Sequence, residues 1–134
     1  MQKPPVPEKP VKGAFTKFIA SFRYAFAGLW YALRTQRNAR VHLVAAILVT
    51  LAGVLLHVSA LEFAILYIAI TGVFIAEMFN TVFEICVDLA KPEYHPLAGI
   101  AKDVAAGAVL LSALLAVVIG VFVLGPHVWI LLVH

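Results

Sequence analysis

Between Gly72 and Leu89 the sequence sets Glu77, Asn80, Glu84 and Asp88 into a run dominated by Ile, Val, Phe, Met and Ala. At about 100° per residue these four side chains fall within an arc of roughly 80°. They form one polar edge on a helix otherwise apolar enough to cross a bilayer. Ionisable groups at such depth are costly, and they face a protein interior or a water-filled cavity rather than lipid. The fold must therefore supply a wall for that edge, and the edge itself is a functional-site hypothesis. Three acids and an amide in a row suit a divalent cation and a proton acceptor.

The remainder of the chain removes the soluble alternative. Its 134 residues are 63% hydrophobic and 13% charged, with a mean hydropathy of +1.01. A single domain of this length has too little interior to hide so much apolar surface, so lipid must be the solvent. The one cysteine, Cys86, cannot form an intrachain disulfide and is expected to be a small buried hydrophobe. The first fourteen residues are rich in Pro and Lys without an apolar core, so no cleavable signal peptide is expected.

Charge placement sets the expected topology. Eight of the ten Lys and Arg lie within the first forty residues, and the other two are Lys91 and Lys102. The positive-inside rule then puts the N-terminus and the 89–102 loop in the cytoplasm, with the 57–62 turn and the C-terminus outside. Three spans are expected at about 41–57, 62–88 and 103–124. The net charge of +3 is accounted for by membrane orientation and phosphate affinity, without a nucleic-acid partner.

Residues 1–13 hold four prolines and no apolar periodicity, and read as a disordered cytoplasmic arm. The rest, 14–134, reads as one membrane domain, all-α. Over 14–35, Phe15, Phe18, Phe22, Phe26, Leu29 and Leu33 recur at steps of three and four, the pattern of an amphipathic helix lying in the membrane interface. His42 and His57 read as interfacial residues at span ends. In the third span Ala108, Ser112, Ala116 and Gly120 make a small-residue ridge of the sort that lets helices approach closely in lipid. Gly125–Pro126 is expected to end that helix. Three spans do not enclose a polar edge unaided, which points to a homo-oligomer with sites between subunits.

No Walker-type phosphate loop, kinase Gly-rich loop or H-E-x-x-H is present. Chemistry must come from the polar edge and what meets it at the cytoplasmic end: Lys102, Asp103, Glu93 and His95. Mg²⁺ commonly takes one or two carboxylates plus substrate phosphates, and a lysine serves phosphate as a point charge. The deeper Glu77, carrying no metal, could accept a proton. Together these parts suit phosphoryl transfer to a hydroxyl within the bilayer. A proton or cation pathway is the competing reading, but beyond Glu77 only Thr71 and Tyr67 would continue it. A non-catalytic membrane assembly subunit would not need acids clustered with Lys102.

The runs AEMFNTVFEICVDL (76–89) and PEYHPLAGIAKDVAAGAVLL (92–111) closely resemble the small bacterial diacylglycerol kinase and undecaprenol kinase family, with likeness from about Phe15 to Leu124. That resemblance implies a homotrimeric inner-membrane lipid kinase, with a surface helix and three spans per subunit, moving the γ-phosphate of ATP-Mg²⁺ to a lipid alcohol. It implies Glu77 as catalytic base facing the lipid substrate, Asn80 as its neighbour, and Lys102 and Asp103 as the phosphate-side pair. Glu84 takes the place of the metal ligand that also faces nucleotide. Glu93, Tyr94 and His95 match the nucleotide-contacting loop, and Lys17 and Tyr24 match surface-helix positions near ATP. Gln36 stands where the family usually has a second metal-bridging Glu; an amide oxygen can coordinate but brings no charge. H-P-L-A and A-A-G-A-V-L-L resemble the undecaprenol branch more than the diacylglycerol branch.

Overall fold

The computed structural model describes residues 13–90 and 95–133, which contain four helices and no strand. The expected arm, apart from Gly13, lies outside the described residues, as do Lys91, Glu93 and Tyr94. The chain divides into two compact units, one through Tyr31 and one from Ala32 onward.

The helix α1, Ala14–Thr35, occupies the expected range and lies in the first unit as far as Tyr31. The Gly13 carbonyl accepts the Lys17 N–H at 3.1 Å, and the Phe18 and Phe22 rings meet edge to face at 5.1 Å. Phe15, Phe18, Phe22 and Phe26 are all exposed.

The second unit holds α2 (Arg37–Leu55), α3 (Ala60–Ala90) and α4 (Pro96–Val133). All three are long and apolar enough to cross a membrane. At about 1.5 Å per residue, α3 is roughly 46 Å long and α4 roughly 57 Å, against a hydrocarbon core of about 30 Å. α3 packs chiefly on α4 and more lightly on α2. Its buried residues Leu66, Val73, Glu77, Asn80 and Thr81 share an arc of roughly 100°. The polar edge thus continues the apolar face that makes the core, and it turns inward.

The α2–α3 connection is set by local chemistry. Val58 N–H bonds the Gly53 carbonyl at 3.1 Å and His57 N–H bonds Val54 at 3.2 Å, while His57 takes a left-handed φ of 54°. This is a Schellman ending. Ser59 Oγ then accepts the Glu62 N–H at 3.3 Å and Glu62 Oε2 accepts the Ser59 N–H at 2.7 Å, a reciprocal capping box that starts α3. Gly53 is required by packing: a Cβ there would lie 2.9 Å from the Phe63 ring.

Four expectations need correction. α4 does not end at Gly125–Pro126 but runs through Pro126 to Val133. A proline removes one helical hydrogen bond, but the residues around it are apolar and offer the backbone no other partner. His127 Nδ1, which lies 3.0 Å from the Val123 carbonyl, adds local support. α4 also starts at Pro96, so Lys102 and Asp103 sit in its second turn rather than at a span's opening. At Gly120 the small-residue ridge makes no close approach to another helix among the described residues: a Cβ there would meet nothing within 4 Å. Cys86 is exposed, because it projects from the side of α3 away from the core arc.

Candidate functional site

Each polar residue of α3 meets its surroundings at a different level. Deepest is Glu77, 1% exposed, with Asn80 6% exposed one turn on. Both line a cavity of about 240 Å³ whose other walls are Asn38, Val41 and His42 of α2 and Ala106, Val109, Leu110 and Ala113 of α4. Both Glu77 carboxylate oxygens and Asn80 Oδ1 are buried without a hydrogen-bond partner. Thr81 spends its hydroxyl locally, donating to the Glu77 backbone carbonyl at 2.9 Å. Buried polar atoms are ordinarily paired, so three acceptors around one cavity define a place for a donor such as a hydroxyl.

The next level is a carboxylate held by two amides. Asn80 Nδ2 donates to Glu84 Oε1 at 3.1 Å, and Gln36 Nε2 donates to Glu84 Oε2 at 2.9 Å. Gln36 reaches it because it sits at the break between α1 and α2 in extended backbone (φ −94°, ψ 122°), and its side chain does not cap its own helix. The two residues expected to face a cation are therefore in contact, with Gln36 presenting nitrogen to Glu84. Among the described residues no cluster of three or more His, Cys, Asp or Glu could hold a metal. The donor set fits an ion of the Mg²⁺ kind, which accepts one carboxylate and completes its shell with phosphates and water.

At the outermost level Lys102 Nζ pairs with Asp88 Oδ1 at 2.5 Å, with the side chains 37% and 66% exposed. A pair so open to solvent is worth at most about 1 kcal/mol, so the lysine can be yielded to a phosphate at little cost. Asp88 could equally have been a helix-end residue on sequence grounds; the structure gives it a partner. Asp103 is exposed on the same turn of α4 as Lys102. His95 serves as the N-cap of α4, with Nδ1 accepting the Leu97 N–H at 3.3 Å. Lys17 and Tyr24 belong to the first unit, where the Arg23 guanidinium lies 5.5 Å from the Tyr24 ring centroid.

His42 is the residue that sequence reasoning placed wrongly. It lines the polar cavity, and it also lines a second, larger groove of about 660 Å³ between α2, α3 and α4. The i, i+4 spacing of Asn38 and His42 on one helical face was the available signal. Ala116 and Gly120 of the small-residue ridge help form that groove, which continues along α4 to Trp129 and Leu132. Apart from His42 its lining is apolar or Gly, so no polar path runs on from Glu77. That speaks against an ion or proton conduit.

Residues 23–124 match the prokaryotic diacylglycerol kinase family. A diacylglycerol kinase of Synechocystis sp. is 49% identical over 109 residues, which is 81% of this chain and 62% of that protein. The undecaprenol kinase of Bacillus subtilis is 39% identical over 115 residues, 86% of this chain and 94% of that protein. A diacylglycerol kinase of Escherichia coli is 33% identical over 113 residues, 84% of this chain and 93% of that protein.

Proposed function

The chain belongs to the prokaryotic diacylglycerol kinase family of lipid kinases, and from that premise we propose that it transfers the γ-phosphate of ATP, with Mg²⁺, to the hydroxyl of a membrane lipid alcohol. The observation that carries this reading is the trio of unpartnered acceptor oxygens on Glu77 and Asn80 around one cavity. A lipid hydroxyl is the donor they lack. Asn80 Oδ1 orients it, and Glu77 takes its proton as the oxygen attacks phosphorus. Lys102, released from Asp88, neutralises charge on the transferred group, with Asp103 beside it. Glu84 would hold the cation, kept in position by the Asn80 amide. A Mg²⁺ ion held there would offset the charge of the phosphates. By the family likeness, Lys17, Tyr24, Glu93, Tyr94 and His95 are each assigned to nucleotide contact in this reading.

For the acceptor we favour undecaprenol over diacylglycerol. The relatives carry both names. Support comes from the apolar groove that adjoins the cavity at His42 and Ala113. Between Ala113 and Leu132 it follows α4 for about 28 Å, close to a full hydrocarbon thickness. That length suits one long chain better than two chains confined to a leaflet. The protein acts as a homotrimer in the bacterial inner membrane, with the N-terminus cytoplasmic, α1 in the interface and the C-terminus outside. The many exposed apolar side chains of α2, α3 and α4 are consistent with lipid and partner copies around it.

The test is direct. Purified protein in mixed micelles receives ATP radiolabelled at the γ-phosphate and either undecaprenol or diacylglycerol. Label in the lipid fraction, greater with undecaprenol, is the expected result. Label only in inorganic phosphate, or none transferred, would overturn the reading, and a preference for diacylglycerol would overturn the choice of acceptor.

A further inference from the structure

A carboxylate that accepts a proton in every turnover must also lose it in every turnover. Glu77 is poorly placed to do so alone, being 1% exposed with neither oxygen hydrogen-bonded. We propose that His42 is a proton-relay residue, taking from Glu77 the proton that the lipid hydroxyl gives up and passing it to solvent along the start of α2. This rests on the kinase reading and on Glu77 as its base.

Two observations lead there. First, among the described residues His42 and Glu77 are the titratable groups lining the polar cavity. The α4 wall supplies only Ala106, Val109, Leu110 and Ala113, and among the described residues His42 meets no other ionisable group from α3 or α4 on its groove side. Second, the way out is polar. His42 is half-buried, and Asn38, one turn nearer the helix start, lines the same cavity and is exposed. Glu77 thus opens to water past an imidazole and the Asn38 amide, while the α4 wall is apolar.

The step balances. The lipid O–H bond breaks and its proton goes to a Glu77 oxygen. The lipid oxygen bonds to the γ-phosphorus as the bond from that phosphorus to the β-phosphate oxygen breaks. The proton then moves from Glu77 to a ring nitrogen of His42 and on to water, which restores both groups. A neutral imidazole can take a proton at one ring nitrogen and release one from the other. Histidine is the side chain best matched to this task.

The experiment measures lipid phosphorylation by the full chain in micelles across pH 5 to 9, for the unaltered protein, His42→Gln and His42→Gly. Nucleotide affinity is followed separately as a check on folding. His42→Gln is expected to lower kcat by about ten- to a hundredfold, to leave KM for ATP unchanged, and to erase the acidic limb of the pH profile. Added imidazole is expected to restore His42→Gly in a saturable manner. Wild-type kcat and pH profile in His42→Gln would overturn the relay, as would a nucleotide-binding His42→Gly that imidazole does not rescue. If Glu77→Gln is inactive in the same assay while His42→Gln is unaffected, only the relay falls. If the unaltered protein transfers no phosphate to lipid, the kinase reading falls and the relay with it.

Discussion

The two ends of α3 handle polar groups in opposite ways. At its start every polar side chain is answered nearby. Ser59 and Glu62 cap each other, the other Glu62 oxygen faces His127 Nε2 at 3.6 Å, and the Tyr67 hydroxyl meets Thr50 at 3.3 Å. In its second half, Glu77 and Asn80 are more deeply buried yet keep three acceptors unanswered. A protein gains nothing in stability from such atoms, since each unpaired buried polar group costs about 1–3 kcal/mol. One end is built to hold the bundle together; the other carries a cost that a hydrogen-bond donor entering the cavity would relieve.

Substitutions can break or sharpen that contrast. The largest effect is expected at the unanswered end. Glu77→Gln should lower lipid phosphorylation by about a hundred- to ten-thousandfold while leaving nucleotide binding nearly intact. Full activity in that variant would remove the base from the mechanism. At the holding end, Gly53→Ala drives a methyl to 2.9 Å from the Phe63 ring and should destabilise the fold by about 1–3 kcal/mol. Gly120→Ala, with nothing within 4 Å, should leave thermal unfolding within about 0.5 kcal/mol of the parent. Equal losses in the two variants would show that the Gly53 contact is not tight in solution. The smallest effect is expected between the ends. Gln36→Glu replaces an amide donor 2.9 Å from Glu84 with a second acid, and should lower the Mg²⁺ concentration needed for half-maximal activity by about tenfold. An unchanged metal titration would mean that position 36 does not influence the cation.

Much of this architecture could be read from the residues alone, because it depends on local pattern. Periodic phenylalanines marked α1, and three apolar runs marked the spans, with 62–88 inside α3, 103–124 inside α4 and 41–57 overrunning α2 by two residues. The polar edge was placed on the face that the fold buries. What escaped depends on how helices are rotated against one another. No spacing rule pairs Lys102 with Asp88 or aims Gln36 nitrogen at Glu84. His42 looked like an interfacial residue because it stands near a span's end. Only the approach of α2 to α3 turns it to the Glu77 cavity. Pro126 misled for the opposite reason: its local meaning is a break, and a stretch with no competing backbone partner overrides it.

The capped turn at 56–59 and the Glu62–His127 contact join α2, α3 and α4 at a single extremity, some 26 Å along α3 from Glu77 by its rise per residue. Near the Gln36, Glu84 and Lys102 level, by contrast, the side chains are joined by a few exchangeable polar contacts.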